Sequence, residues 1–168
     1  MLEWLSGARR APRVDDLATV IFSSGSTGQP KGVLLTHFNI SSNLEAAAQA
    51  FGITRSDRIL GVLPFFHSFG YFSLWFGATR RLGIVFHPSP LDAAAIGDLV
   101  QRYRLTFLLA TPTFLQLYLR RCTPAQFGSL RIVLTGAEKL SDRLAEAFEE
   151  QFGIRPLEGY GTTECAPA

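Results

Sequence analysis

Cysteine and methionine are scarce in this chain, with two of the first and one of the second in 168 residues. Cys122 and Cys165 match no zinc-ligand spacing, so the simple expectation is a reduced, intracellular protein. Charge is thin as well. Charged residues make up 18% of the chain and the net charge is +2, too few charges for disorder and too weak a field to draw nucleic acid. The opening Met1-Leu2-Glu3-Trp4-Leu5 has neither the basic region nor the long apolar core of a secretory leader. The longest aromatic stretch, Phe65 to Phe86, is interrupted by His67, Arg80 and Arg81. It falls short of the roughly 20 uninterrupted apolar residues of a bilayer span. A cytoplasmic location is expected, with the inner face of the membrane, reached through segments outside this chain, as the alternative. There is no internal repeat and no low-complexity tract. Two common nucleotide signatures are also missing: G-x-G-x-x-G, and a glycine loop ending in Gly-Lys-Ser/Thr.

What is present is a different phosphate-binding composition. Phe22-Ser23-Ser24-Gly25-Ser26-Thr27-Gly28-Gln29-Pro30-Lys31-Gly32 packs hydroxyls and glycines together and ends on a lysine. Glycines let the backbone approach closely and adopt positive φ. Successive N–H groups can form an anion nest, hydroxyls can donate, and Lys31 adds a compact charge. The β-like run Thr19-Val20-Ile21-Phe22 leads into it. The expected place is therefore the C-terminal end of a strand, where open α/β sheets bind ligands. A flexible Ser/Gly linker is the plainer reading of the composition.

At 47% hydrophobic residues the chain can build a packed core. Residues 1–14 read as a linker, with Gly7, Pro12 and scattered arginines. Strands are expected over 18–23, 58–63, 83–87, 106–110, 131–134 and 155–158, all short and apolar as strands buried on both faces are. Helices are expected between them. Thr36 caps one that runs to Phe51 and stops at Gly52. Ser89-Pro90 starts another with Ile96, Leu99, Val100 and Tyr103 on its core face. Thr111-Pro112 starts a third, and Ser141 a fourth that presents Leu144, Ala145, Phe148 and Phe152. The alternation predicts an α/β fold, a mostly parallel sheet flanked by helices.

The hydroxyl-rich loop resembles the phosphate-binding signature of the adenylate-forming enzymes, which include acyl-CoA synthetases, luciferases and peptide-synthetase adenylation domains. Three further blocks agree in order. Pro64-Phe65-Phe66-His67-Ser68-Phe69-Gly70 resembles the aromatic block of the acyl pocket. Thr135-Gly136-Ala137-Glu138-Lys139-Leu140 resembles the adenine-side loop. Tyr160-Gly161-Thr162-Thr163-Glu164 resembles the block for adenine, phosphate and magnesium. The likeness runs from about Asp15 to the last residue. It narrows, through Pro88-Ser89-Pro90-Leu91, Leu157-Glu158-Gly159 and Cys165-Ala166-Pro167, toward the acyl-carrier-protein synthetase half of the bacterial bifunctional 2-acylglycerophosphoethanolamine acyltransferases.

The resemblance implies ATP and Mg²⁺ as cofactors, a fatty acid as substrate, and an acyl carrier protein or CoA as acceptor. It assigns Ser23, Ser24, Ser26, Thr27 and Lys31 to the β- and γ-phosphates, with Gly25 and Gly28 allowing backbone approach. Gly136, Ala137, Glu138, Tyr160, Gly161 and Thr162 fall to the nucleotide, with Tyr160 stacked on adenine. Thr163 bonds the α-phosphate, and Glu164 holds magnesium through a hard carboxylate oxygen. His67 orients the attacking carboxylate or gates the acyl channel. Amino-acid-activating relatives carry an aspartate at its place, so a substrate without an α-amino group is implied. No later Thr-Gly-Asp block, hinge or domain with the catalytic lysine is found. The chain thus reads as part of the large N-terminal domain of a longer synthetase, not competent alone. A non-catalytic acyl- or nucleotide-binding module is the competing class, and a plain structural α/β domain is the third.

Overall fold

The structure, a computed structural model, describes residues 11–23 and 29–166. The hydroxyl-rich segment joins β1 (Leu17–Ser23) to β2 (Lys31–Thr36), which pair antiparallel as a sheet of their own. The segment follows the C-terminal end of a strand, as expected, but that strand belongs to an antiparallel pair and not to the parallel sheet. A strand over Lys31–Thr36 was also not expected, because its only β-branched residues are Val33 and the terminal Thr36, and Gly32 weakens it. Burial holds it there. Ile21 and Leu35 point inward as a small cluster with Ala166, against Val33, Ile40 and Tyr71. Val20, Phe22 and Leu34 lie on the opposite face and are exposed. Thr36 then caps α1 (His37–Ala50), accepting the Asn39 N–H in a reciprocal capping box. Gly52 follows at φ +54.

The remaining strands, β3 (Arg58–Gly61), β4 (Gly83–Phe86), β5 (Phe107–Ala110), β6 (Ile132–Thr135) and β7 (Leu157–Glu158), form one all-parallel sheet in the order β4-β3-β5-β6-β7. β5 and β6 are buried throughout, as strands covered on both faces should be. The expected α/β architecture is the observed one.

Between β3 and β4 runs α2 (Ser68–Arg80), which the aromatic composition did not announce as a helix. Its first turn packs so closely on the preceding loop that a Cβ at Gly70 would stand 2.1 Å from the Pro64 carbonyl oxygen. Next comes α3 (Ala93–Tyr103), which begins at an Asp92 cap rather than at Ser89-Pro90. Its core face holds Ile96 and Val100, while Tyr103 is exposed beneath the Arg102 guanidinium rather than buried. The expected Thr111-Pro112 start opens α4 (Pro112–Arg121), and a single turn, α5 (Pro124–Phe127), follows. The last helix, α6 (Asp142–Phe152), starts at the Ser141 cap, buries Leu144, Ala145, Phe148 and Phe152, and ends at Gly153 with φ +73. None of the described helices is long and apolar enough to cross a membrane.

An ion pair between the buried Asp57 and the exposed Arg131 ties α1 to the sheet. The Asp57 carboxylate accepts Arg131 at 2.8 Å, the Thr54 N–H at 2.8 Å and the Thr106 hydroxyl at 2.8 Å. Burial opposes its ionisation, but the Arg131, Thr54 and Thr106 hydrogen bonds outweigh it and draw the carboxyl down to about 2. Arg131 also donates to the Phe51 and Gly52 carbonyls, which fixes the end of α1.

Candidate functional site

A cavity of about 290 Å³ opens at the C-terminal edge of the parallel sheet. Its walls are apolar: Ala46, Ala47, Ala50 and Phe51 from α1, Phe69 and Phe72 from α2, and Leu134 from β6. Its polar border consists of Asn43, His67, Ser68, Thr135 and Tyr160, with Gly136, Ala137, Gly159 and Gly161 completing the lining. Three of the four sequence blocks therefore meet on one cavity, because the sheet order brings the ends of β6 and β7 beside the start of α2.

Each segment is positioned by a local cause. His67 sits at the N-cap of α2 with extended backbone and exposed, and its side chain makes no capping hydrogen bond. Gly136 is buried against the Phe69 ring and the Gly159 carbonyl, which a Cβ would meet at 3.4 Å, an ordinary contact. Ala137 adopts φ +67, and the loop it starts is tied to β7 by the Leu140 N–H donating to Glu158 at 2.8 Å. The Glu138 carboxylate is engaged elsewhere. It accepts the Thr113 hydroxyl at 2.6 Å and the Thr113 N–H at 3.2 Å, at the N-terminus of α4, and does not line the cavity.

Thr163, Glu164 and Cys165 form a 3-10 turn after β7. The turn is held from two sides: the Thr163 hydroxyl donates to the Ser68 hydroxyl at 3.4 Å, and Asn43 Nδ2 donates to the Cys165 carbonyl at 3.4 Å. Ala166 packs it onto the β1–β2 hairpin. Ser23 and Lys31 face each other as the last pair of that hairpin, and Lys31 is exposed. Ser24, Gly25, Ser26, Thr27 and Gly28 lie outside the described residues. Tyr160 is 88% exposed, with its ring free to stack on a ligand. Gly161 and Thr162 are exposed, and the Thr162 hydroxyl donates to Cys165 Sγ at 3.4 Å.

Among the described residues no group of three or more His, Cys, Asp or Glu side chains could hold a metal ion. Glu164 is exposed and its carboxylate makes no hydrogen bond or ion pair among the described residues. That single free carboxylate fits a hard cation that takes its other oxygens from phosphates and water.

The aromatic run after His67 divides cleanly. Phe69 and Phe72 face the cavity, Phe76 is core, Tyr71 supports the hairpin, and Trp75 is partly exposed. Sequence reasoning passed over Asn43 and the α1 alanines, and it quoted Ser68 and Thr135 within their blocks without giving either a role. The alanines recur at helical spacing beside the cavity, but an alanine run reads first as helix propensity.

The comparisons with known proteins agree with this geometry. Over 156 residues the chain is 31% identical to the feruloyl-CoA synthase of an Amycolatopsis species, covering 92% of this chain and 32% of that protein. The crystal structure of ATP-bound MatB from Rhodopseudomonas palustris superposes with a TM-score of 0.84 at 31% identity, covering 92% of this chain and 31% of that one. The o-succinylbenzoate coenzyme A synthetase MenE from Bacillus subtilis, in complex with ATP and magnesium ion, gives 0.85 at 30% identity, covering 92% and 32%. The chain thus spans about a third of the length of the relatives it matches. The profile of the AMP-binding enzyme family matches residues 3–168, and the chain belongs to that family.

Proposed function

We propose that this chain is the acid- and nucleotide-binding core of a ligase that activates a fatty acid with ATP and passes the acyl group to a thiol. The observation that carries the reading is the convergence of His67, Gly136–Ala137 and Tyr160–Gly161 on one apolar cavity at the sheet's C-terminal edge. In the first step a carboxylate oxygen attacks the α-phosphorus of ATP. The bond to the bridging oxygen breaks, pyrophosphate leaves, and an acyl-adenylate remains. In the second step a thiolate attacks the acyl carbon and AMP departs.

All the reactants of the first step are anionic, so the chain's work is to align them and offset their repulsion. The apolar walls take the acyl tail. His67, at the cavity border, orients the carboxylate. Tyr160 stacks on the adenine, and the backbone of Gly136, Ala137 and Gly161 lets the nucleotide approach. Thr163, fixed through Ser68, donates toward the α-phosphate. Lys31 and the hydroxyls of the hairpin loop, Ser23 among them, hold the β- and γ-phosphates. Glu164 would hold a magnesium ion, which when bound neutralises phosphate charge.

The motif likeness favours an acyl carrier protein as acceptor, whereas the CoA synthetases among the relatives favour CoA. By the same reading the protein works in the cytoplasm. Incubating the protein that contains this chain with ATP, Mg²⁺ and a fatty acid should yield acyl-adenylate by mass spectrometry. Adding CoA or a pantetheinylated carrier protein then identifies the acceptor by which thioester forms. Binding of ATP and acid with no adenylate would establish the non-catalytic module instead.

A further inference from the structure

The cavity has a length as well as a volume. Asn43, at one end of its α1 wall, is pinned to the turn that carries Thr163 and Glu164. Phe51 closes the α1 wall at the other end. They are eight positions apart, about 12 Å at 1.5 Å per residue. The far end is a fixed wall. The Phe51 ring meets Phe107 at 5.9 Å, Phe107 meets Phe76 edge-on at 5.8 Å, and Phe76 stacks on Phe72 at 4.9 Å. The Phe51 backbone is held in turn by Arg131, which is paired with the buried Asp57. A wall braced on both its ring and its backbone cannot swing aside for a longer ligand.

Along the side of the same space, Ala46 and Ala50 are exposed to the cavity one helical turn apart. Methyl side chains there leave the groove open, and any larger residue would fill it.

We infer that the acid substrate is of medium length, its tail limited to the roughly 12 Å of the α1 wall, and that Ala46, Ala50 and Phe51 set that length. The inference rests on the acid-activating reading above. The carboxylate lies at the His67 border, the tail runs beside α1, and its end stops against Phe51. Shorter tails leave apolar wall uncovered and bind more weakly, and longer ones meet the aromatic stop.

The test is acid-dependent ATP–pyrophosphate exchange over the even-numbered saturated acids from acetate to palmitate, using the protein that contains this chain. Displacement of a fluorescent fatty-acid probe by the same acids gives binding without turnover. The unaltered protein should peak near decanoate in both assays. Ala50→Leu should lower the ratio of decanoate to hexanoate kcat/KM at least tenfold, Ala46→Leu, nearer the carboxylate, should lower kcat/KM for both acids and move the peak to shorter ones, and Phe51→Ala should move the peak to longer acids. Leucine suits a helix, so the two alanine variants decide the matter even if Phe51→Ala unfolds. A peak at palmitate, or chain-length profiles unchanged by both leucines, overturns the inference while leaving the acid-activating reading intact. Exchange and displacement with no acid at all overturn that reading and the inference with it.

Discussion

Gly70→Ala adds one methyl group and should damage both fold and site. A Cβ at this position would stand 2.1 Å from the Pro64 carbonyl oxygen, 2.7 Å from its carbon and 2.8 Å from the Leu63 carbonyl oxygen. All three neighbours are backbone, so no side chain can turn away. Restoring an ordinary contact requires the 63–67 segment or the start of α2 to move by about 1 Å. Overpacking of this kind costs about 1–3 kcal/mol, and three backbone contacts put it at the upper end. Alanine returns up to about 1 kcal/mol in helix propensity, leaving a net loss of about 2 kcal/mol. The same segment carries His67, whose N–H donates to Pro64, and a displacement of about 1 Å at a catalytic group can cost about a hundredfold in rate. Urea unfolding measures the first effect and pyrophosphate exchange the second. Gly128→Ala is the control, because its Cβ would meet nothing closer than 3.6 Å and should change stability by no more than about 0.5 kcal/mol. A Gly70→Ala protein as stable and as active as its parent would refute the reasoning.

The Asp57 carboxyl, held at about 2 against an unfolded value of about 3.9, contributes about 2.5 kcal/mol at neutral pH. Because the folded value is depressed, that stability is present above about pH 4 and is lost as pH falls toward 2. Asp57→Asn should be less stable at neutral pH and show a flatter acid limb in urea titrations at each pH, and an unchanged limb would argue against the pair. Lys31→Ala should weaken ATP use by about 1.5–3 kcal/mol, the size of a charged hydrogen bond. Lys31→Arg should not restore it, because a planar fork does not replace a compact ammonium. Exchange rates within twofold of the parent would remove Lys31 from the phosphate site. Glu138→Ala frees the Thr113 N–H and hydroxyl and should cost about 1 kcal/mol in thermal or urea unfolding.

Elements with local punctuation were legible in the sequence. Thr36, Thr111 and Ser141 each cap the helix they announce, and Gly52 and Gly153 follow the ends they mark. The buried strands β5 and β6 were legible from their unbroken apolar runs. What was not legible depends on neighbours distant in sequence. The helix α2 lacks a side-chain cap and a polar face, and its glycines are there because Pro64 and Ile84 press against them. The strand β2 exists because Leu35 can bury beside Ile21 and Ala166. Resemblance found His67, Gly136 and Tyr160, which the fold brings to one cavity. It also named Glu138, whose carboxylate the fold commits to α4. The α1 alanines had no signal of their own, since only the cavity distinguishes an alanine that leaves space from one that favours a helix.

The most direct test of the central claim supplies the protein containing this chain with ATP, Mg²⁺ and labelled pyrophosphate, with and without decanoate, and follows label into ATP. Adenylation predicts label in ATP only when the acid is present, with AMP as the nucleotide product once a thiol acceptor is added. Label entering ATP without acid, or ADP and phosphate appearing in place of AMP and pyrophosphate, would contradict it.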